Sequence, residues 1–375
     1  MAKKQAFNPD DDDDIDRHIE EMLNDQRKAA DKKAKIFKGE RHVYTTGLLP
    51  LDLNINPEHP GIMGGNIIQL CGRGHSGKTT MALSIAKHHM DQGHKVLYLD
   101  PECGLTDEMI KDWGYYKNHP LFRYERYSLD LEEGGNYHRY FSTACKYLAA
   151  YQGSNKPFIL IIDSIGYLRP VKTDWEAGDG PRVGGNIPIF NEFLKSFVPL
   201  VGNTNGLAIF INGVYEDNKN KYNDYVIPGG ADLERASELI LVHYQRANDT
   251  GGSISPWEKT FNDVTKNFAK PYKQKLGVKI KKNKWHHTVT KQSAMDFFLT
   301  TDPAFDNGFG LDNSRAMLMF LKENNVLTGS GYYSLGDDKR LWKDWEHSVN
   351  NDEETFYKIF NKVKETFVKL NNGEV

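Results

Sequence analysis

From residue 43 onward, short apolar runs alternate with stretches of helical periodicity. "NIIQLCG" (66–72), "KVLYLD" (95–100), "FILIIDS" (158–164), "LAIFING" (207–213), "ELILVHY" (238–244) and "VKIKKNK" (278–284) read as strands. "KTTMALSIAKHHMDQG" (78–93) reads as a helix stopped by Gly93. Strands alternating with helices predict an α/β fold with a mainly parallel sheet covered on both faces. Before residue 43 the pattern differs: Ile15, Ile19 and Met22/Leu23 recur at helical spacing behind an acidic tip, which predicts an N-terminal helical arm that packs on something else. Beyond about residue 300 a charged, aromatic segment predicts a small C-terminal lobe. The expected organisation is an arm over 1–42, a core over 43–300 and a small domain over 301–375.

Composition sharpens this picture in two places. The net charge of −3 conceals segregation, with "NPDDDDDID" near the start and nine lysines without an acidic residue between Lys266 and Lys291. Three scattered cysteines suit neither a disulfide framework nor a four-ligand zinc site, and Cys71 and Cys103 read as small buried residues. Thirteen histidines show no metal-ligand spacing. With no apolar run of membrane-spanning length and a polar N-terminus, the expectation is a soluble, intracellular, unprocessed protein.

The chemistry concentrates between the first two core strands. In "GRGHSGKTT", Gly72, Gly74 and Gly77 permit a tight loop whose N–H groups converge on one point, framed by Arg73, His75, Ser76 and Thr80. Lys78 is placed to reach the β- and γ-phosphates of a nucleotide and Thr79 to ligate Mg²⁺. Asp163, closing "FILIIDS", supplies the second acidic group on the metal. Glu102, just past "KVLYLD", is the candidate base for the attacking water.

Two long polar segments follow the strands ending at Asp163 and Asn212, namely 166–186 and 213–230. Long loops within a compact α/β core are usually functional or disordered. Arg169, Lys172 and Arg182 in the first, with Lys219, Lys221, Tyr222 and Tyr225 in the second, combine cations and aromatics in the way single-stranded DNA binding requires.

Taken in order, these segments resemble the RecA-type recombinases, and among them the phage UvsX-like members, over residues about 43–335. The resemblance is carried by "VYTTGLLPLDLNI", the P-loop, Asp100-Pro101-Glu102, Asp163-Ser164, Ile209 to Asn212, Gly229-Gly230 and "VKIKKNK". It implies a RecA-like P-loop NTPase core using ATP and Mg²⁺, with Glu102 as catalytic base and Lys282 and Lys284 reaching a neighbouring subunit's ATP. It further implies helical filaments on single-stranded DNA, pairing with homologous duplex DNA, and assistance from a mediator and a single-strand binding protein in the cytoplasm of a phage-infected cell. Gly213 stands where bacterial members have a γ-phosphate-sensing glutamine, leaving Asn212 or Glu216 for that task, and the adenine-stacking aromatic is replaced near Met109. A hexameric helicase or ring ATPase and a non-hydrolysing recombination mediator remain alternatives; a small-molecule kinase lacks an evident acceptor pocket.

Overall fold

In the computed structural model, the described residues are 37–106, 119–127, 137–168, 187–215, 226–245, 273–286, 294–300 and 310–373. Residues 1–36 of the N-terminal arm, Met109, Glu216 and all seven candidate DNA-contacting residues named above lie outside them. No helix of the described residues is long and apolar enough to cross a membrane.

A nine-stranded sheet organises the core. Six strands are parallel, in spatial order β5 (Phe122–Glu125), β4 (Lys95–Leu99), β6 (Phe158–Ile162), β7 (Leu207–Asn212), β3 (Asn66–Gly72) and β8 (Leu239–Gln245). β9 (Lys273–Asn283), β10 (Ala294–Thr300) and β11 (Gly310–Leu311) extend it antiparallel beyond β8. A short pair, β1 (Val43–Tyr44) with β2 (Ile62–Met63), precedes β3.

The uniform apolarity of the central strands follows from burial on both faces. In β6, Ile159 and Ile161 enter one core while Phe158, Leu160 and Ile162 enter the other. The neighbouring strands divide likewise, since successive strand side chains point to opposite faces. The first core is closed by α2 (Lys78–Met90) through Met81, Ala82 and Ile85. The second is closed by α3 (Tyr137–Tyr151) and α4 (Ile187–Gly202), where Phe141 stacks on Phe193. α5 (Gly230–Ala236) leads into β8.

The C-terminal segment builds its own apolar cluster. α6 (Asn313–Glu323), α7 (Trp342–Asn351), α8 (Glu353–Asn371) and the meander β12 (Thr328–Ser330), β13 (Tyr332–Leu335), β14 (Asp338–Leu341) surround the fully buried Trp345. Leu49 and Leu53 of α1 (Leu49–Ile55) join this cluster, so the segment before β3 fastens the lobe to the core.

Asp52 of α1 is almost fully buried and accepts a hydrogen bond from the Thr46 N–H at 2.8 Å. Burial pushes its carboxyl up from 3.8 to about 7. A folded-state value above the unfolded one means protonated Asp52 favours the fold in acid, and that contribution is lost as pH rises toward 7. Asp52→Asn removes this slope while keeping an acceptor for Thr46. Its stability relative to wild type is expected to rise by about 3 kcal/mol between about pH 5 and about pH 8, read by denaturant titration of both proteins. A pH-independent difference would show that Asp52 does not titrate in this range.

Candidate nucleotide site

The glycine-rich loop leaves the carboxyl end of β3, the central strand of the nine-stranded sheet, at the end of the parallel strands where α/β proteins bind ligands. Its shape depends on two glycines. Gly77, the residue preceding α2, has φ of +84°, and a Cβ on Gly72 would lie 2.5 Å from Ser76 Oγ and 2.6 Å from the His243 carbonyl oxygen. Arg73, Gly74 and His75 are exposed at the loop tip, Ser76 is buried beneath it, and Gly77, Lys78, Thr79 and Thr80 are half-buried where α2 begins. The Lys78 ammonium donates to the Arg73 carbonyl at 2.8 Å, spanning the loop. Burial pulls Lys78 down from its ordinary value, while the charges of Asp163 and Glu102 push it up.

Asp163 sits immediately beyond β6, two strands from β3. Its carboxylate accepts from Thr79 Oγ1 at 2.7 Å and from Tyr98 Oη at 2.6 Å. Burial raises it to about 6; the two hydroxyl donors oppose that rise, and Glu102 and Asp100 add to it. A nearly buried carboxylate beside a threonine hydroxyl, under a glycine-rich loop at the start of α2, fits a Mg²⁺–triphosphate in donor type and charge.

Glu102 is exposed, at the mouth of this arrangement, and its N–H donates to the Asp163 carbonyl at 3.3 Å. The turn that presents it is held by Asp100, whose carboxylate accepts from the N–H groups of Gly104 and Leu105, each at 3.2 Å, and from Tyr124 Oη at 2.7 Å. Tyr140 Oη donates to the Asp100 carbonyl at 2.9 Å. Asp100 is therefore the strut of the turn and Glu102 its projecting acid. Cys103, expected to be buried, is exposed, because the turn that tucks Asp100 inward swings residues 102–104 outward.

Asn212 ends β7 beside the loop strand. It is fully buried, with its amide donating to the Pro228 carbonyl at 2.7 Å and to Gln69 Oε1 at 3.3 Å; Gln69 in turn donates to Ser237 Oγ at 2.9 Å. This chain joins β3 to both ends of α5 and the base of the 213–230 segment. Asn212 is thus a tether inside the fold rather than a group open to a phosphate.

Lys282, at the end of β9, and Lys284, just beyond it, do not join this cluster. Lys282 donates to the Glu234 and Arg235 carbonyls, and Lys284 to the Arg235 carbonyl at 3.3 Å and to Glu238 Oε1 at 2.6 Å. Cations against the last carbonyls of α5 suit a helix C-terminus.

Three features of this surface escape a reading by motif. Tyr98 is an ordinary position of an apolar strand until the fold sets it beside Asp163, and the part Asp100 plays in holding the Glu102 turn shows only in its contacts. Tyr167 and Tyr215, 52% and 65% exposed, stand at the roots of the two long segments. A bridge closes the second root, with the Tyr215 N–H donating to the Val226 carbonyl at 2.9 Å and the Val226 N–H returning a bond at 2.7 Å.

No family model matches the chain. Among curated proteins it is similar to Protein RecA of Clostridium botulinum (strain Eklund 17B / Type B), 26% identical over 204 residues, 53% of each chain. It is also similar to Protein RecA of Halalkalibacterium halodurans, 24% identical over 345 residues, 90% of this chain and 86% of that protein. The chain spans about half the length of the Clostridium relatives it matches, 53%, 44% and 44%. A crystal structure of the RadB recombinase is 19% identical with a TM-score of 0.46, covering 71% of this chain and 98% of that one. The curated relatives bear out the resemblance to RecA-type recombinases.

Proposed function

We propose that this chain is a RecA-type recombinase: an ATPase that assembles as a helical filament on single-stranded DNA and pairs it with homologous duplex in recombination, repair and recombination-dependent replication. The reading that it serves a phage in the cytoplasm of its bacterial host is part of the same proposal, resting on the UvsX-like motif order. The observation that carries the proposal is the convergence of Lys78, Thr79, Asp163 and Glu102 at one edge of a parallel sheet. Sequence similarity to RecA proteins supports it independently.

In this reading the loop N–H groups from Gly72 to Thr80 cradle the phosphates and Lys78 neutralises the terminal ones. Thr79 and Asp163 would hold Mg²⁺, which supplies charge neutralisation on the phosphate oxygens. Glu102, exposed at the mouth, orients the attacking water and accepts its proton. Tyr98 holds the Asp163 carboxylate in place, and Asp100 holds the turn.

The DNA-facing surface lies at the same sheet edge, where 166–186 and 213–230 leave adjacent strands. Arg169, Lys172, Arg182, Lys219 and Lys221 would meet phosphates, and Tyr222 and Tyr225 would meet bases. Tyr167 and Tyr215 extend that aromatic set at the loop roots. The Asn212–Gln69–Ser237 tether gives strain on the second segment a route into β3 and so to the nucleotide loop. Base pairing, not protein side chains, would read the sequence.

The test is joint-molecule formation between a single strand and supercoiled duplex with ATP and Mg²⁺, comparing homologous with heterologous strands. Product that requires homology and ATP is the expected result. ATP turnover that rises with single-stranded DNA but yields no joint molecules would overturn the recombinase reading in favour of a ring ATPase.

A further inference from the structure

At the opposite end of α2 from the nucleotide loop, three histidines far apart in sequence meet. His42 precedes β1, His89 lies in the last turn of α2, and His94 follows the turn that leads into β4. One ring nitrogen from each lies within 4.8 Å of one from each of the others. The ring centroids of His42 and His94 are 4.7 Å apart, and those of His89 and His94 are 5.5 Å apart with nearly parallel planes. His89 follows Lys78 by eleven residues on α2, so about 17 Å of helix separates this cluster from Lys78.

The hydrogen bonding of the cluster is incomplete in one specific way. His42 Nε2, His89 Nδ1 and His94 Nδ1 are each buried without a hydrogen-bond partner. Buried polar atoms are rarely left so, and each needs an explanation. His89 is 1% exposed, and its Nε2 lies 3.2 Å from the Thr45 carbonyl oxygen. A carbonyl can only accept, so Nε2 carries the proton and Nδ1 presents a lone pair. A backbone carbonyl fixing the tautomer of a histidine is the usual outer support of a metal ligand. Burial also pulls His42 to about 4, His89 to about 3 and His94 below its ordinary value, which keeps the rings in the neutral form that metals bind.

We propose that His42, His89 and His94 form a binding site for one zinc-class divalent cation, with water as the remaining ligand. Three imidazoles suit zinc in number and softness. Ligand nitrogens around a tetrahedral ion with bonds of about 2.0–2.1 Å stand roughly 3.3 Å apart, so the rings draw inward by on the order of 1 Å on binding. The ion ties the segment entering β1 to the end of the helix whose other end forms the nucleotide loop. It is separate from the Thr79–Asp163 position in place and in ligand type.

The experiment uses the full chain, stripped with chelator and then titrated with cobalt(II) and with zinc. Wild type should bind one equivalent of zinc tightly and give the intense visible absorption of low-coordinate cobalt(II), displaced by zinc. His94→Gln and His42→Gln should weaken zinc by more than the roughly 10–100-fold that loss of an outer-shell partner costs. His88→Gln, altering the exposed neighbour on α2, should bind as wild type does. Circular dichroism confirms that each variant is folded. Zinc should also raise the melting temperature of wild type but not of His94→Gln. Failure of wild type to bind an equivalent of either ion overturns the proposal without any variant, as does equal binding by the His42→Gln/His94→Gln double variant.

Discussion

Glu102→Gln is expected to lower ATP turnover on single-stranded DNA by at least about a hundredfold while leaving nucleotide binding intact. A positioned general base contributes about 10²–10⁴ in rate, and glutamine keeps the shape of the side chain while losing its ability to take a proton. The substitution leaves the turn undisturbed, because Asp100 with its Gly104, Leu105 and Tyr124 donors holds it. It also removes a negative charge that acts on both Lys78 and Asp163. A site about to receive an anionic phosphate loses repulsion, so affinity should hold or tighten. In a filament whose release depends on hydrolysis, the variant should remain on DNA long after wild type has dissociated. Turnover and filament lifetime therefore move in opposite directions, which a merely unfolded variant cannot produce. Wild-type turnover by Glu102→Gln would remove the base assignment, and loss of nucleotide binding would reassign Glu102 to a structural role.

The parallel core was legible because burial on both faces leaves a plain signature: β6 and β7 are apolar at nearly every position. The nucleotide loop was legible because its backbone demands glycine at Gly72 and Gly77. What stayed hidden depends on contacts between distant segments. Tyr98 acquires a role only when β4 pairs with β6 and sets its hydroxyl against Asp163. Cys103 follows the path of a turn whose direction is set by Asp100, and composition carries no trace of that. The second half of β9 is legible as a strand, but its antiparallel pairing with β8, and the addition of β10 and β11 beyond it, follow from contacts that the local pattern does not carry. His42, His89 and His94 have no motif spacing, since β1, α2 and β4 bring them together only after folding.

Lys282→Ala and Lys78→Ala, each expected to abolish nucleotide-dependent assembly and turnover alone, should partly restore each other when mixed. The register of the sheet supplies the reason. Gly72, where the nucleotide loop begins, pairs with His243, which pairs with Val278 of β9. Because β9 runs antiparallel, continuing from Val278 to Lys284 leads away from the loop: Lys282 lies opposite Ile240, and the Lys284 N–H donates to the Glu238 carbonyl while the Glu238 N–H donates to that of Ile67. Ile240 pairs with Gln69, so Lys282 is level with a point three residues, about 10 Å, short of Gly72 along β3 and two strands away from it, while Ile67, level with Lys284, is five residues, about 17 Å, short of it. With both side chains held on the last carbonyls of α5, neither lysine meets its own subunit's nucleotide loop, so any action on ATP is on a neighbour's. In a head-to-tail array mixed at equal amounts, about a quarter of interfaces join an intact loop to an intact Lys282. Recovered turnover should peak near that composition, and the Lys78→Ala/Lys282→Ala double variant mixed with either single variant should recover nothing. Absence of rescue at every ratio would leave Lys78 in its role and remove Lys282 from the nucleotide.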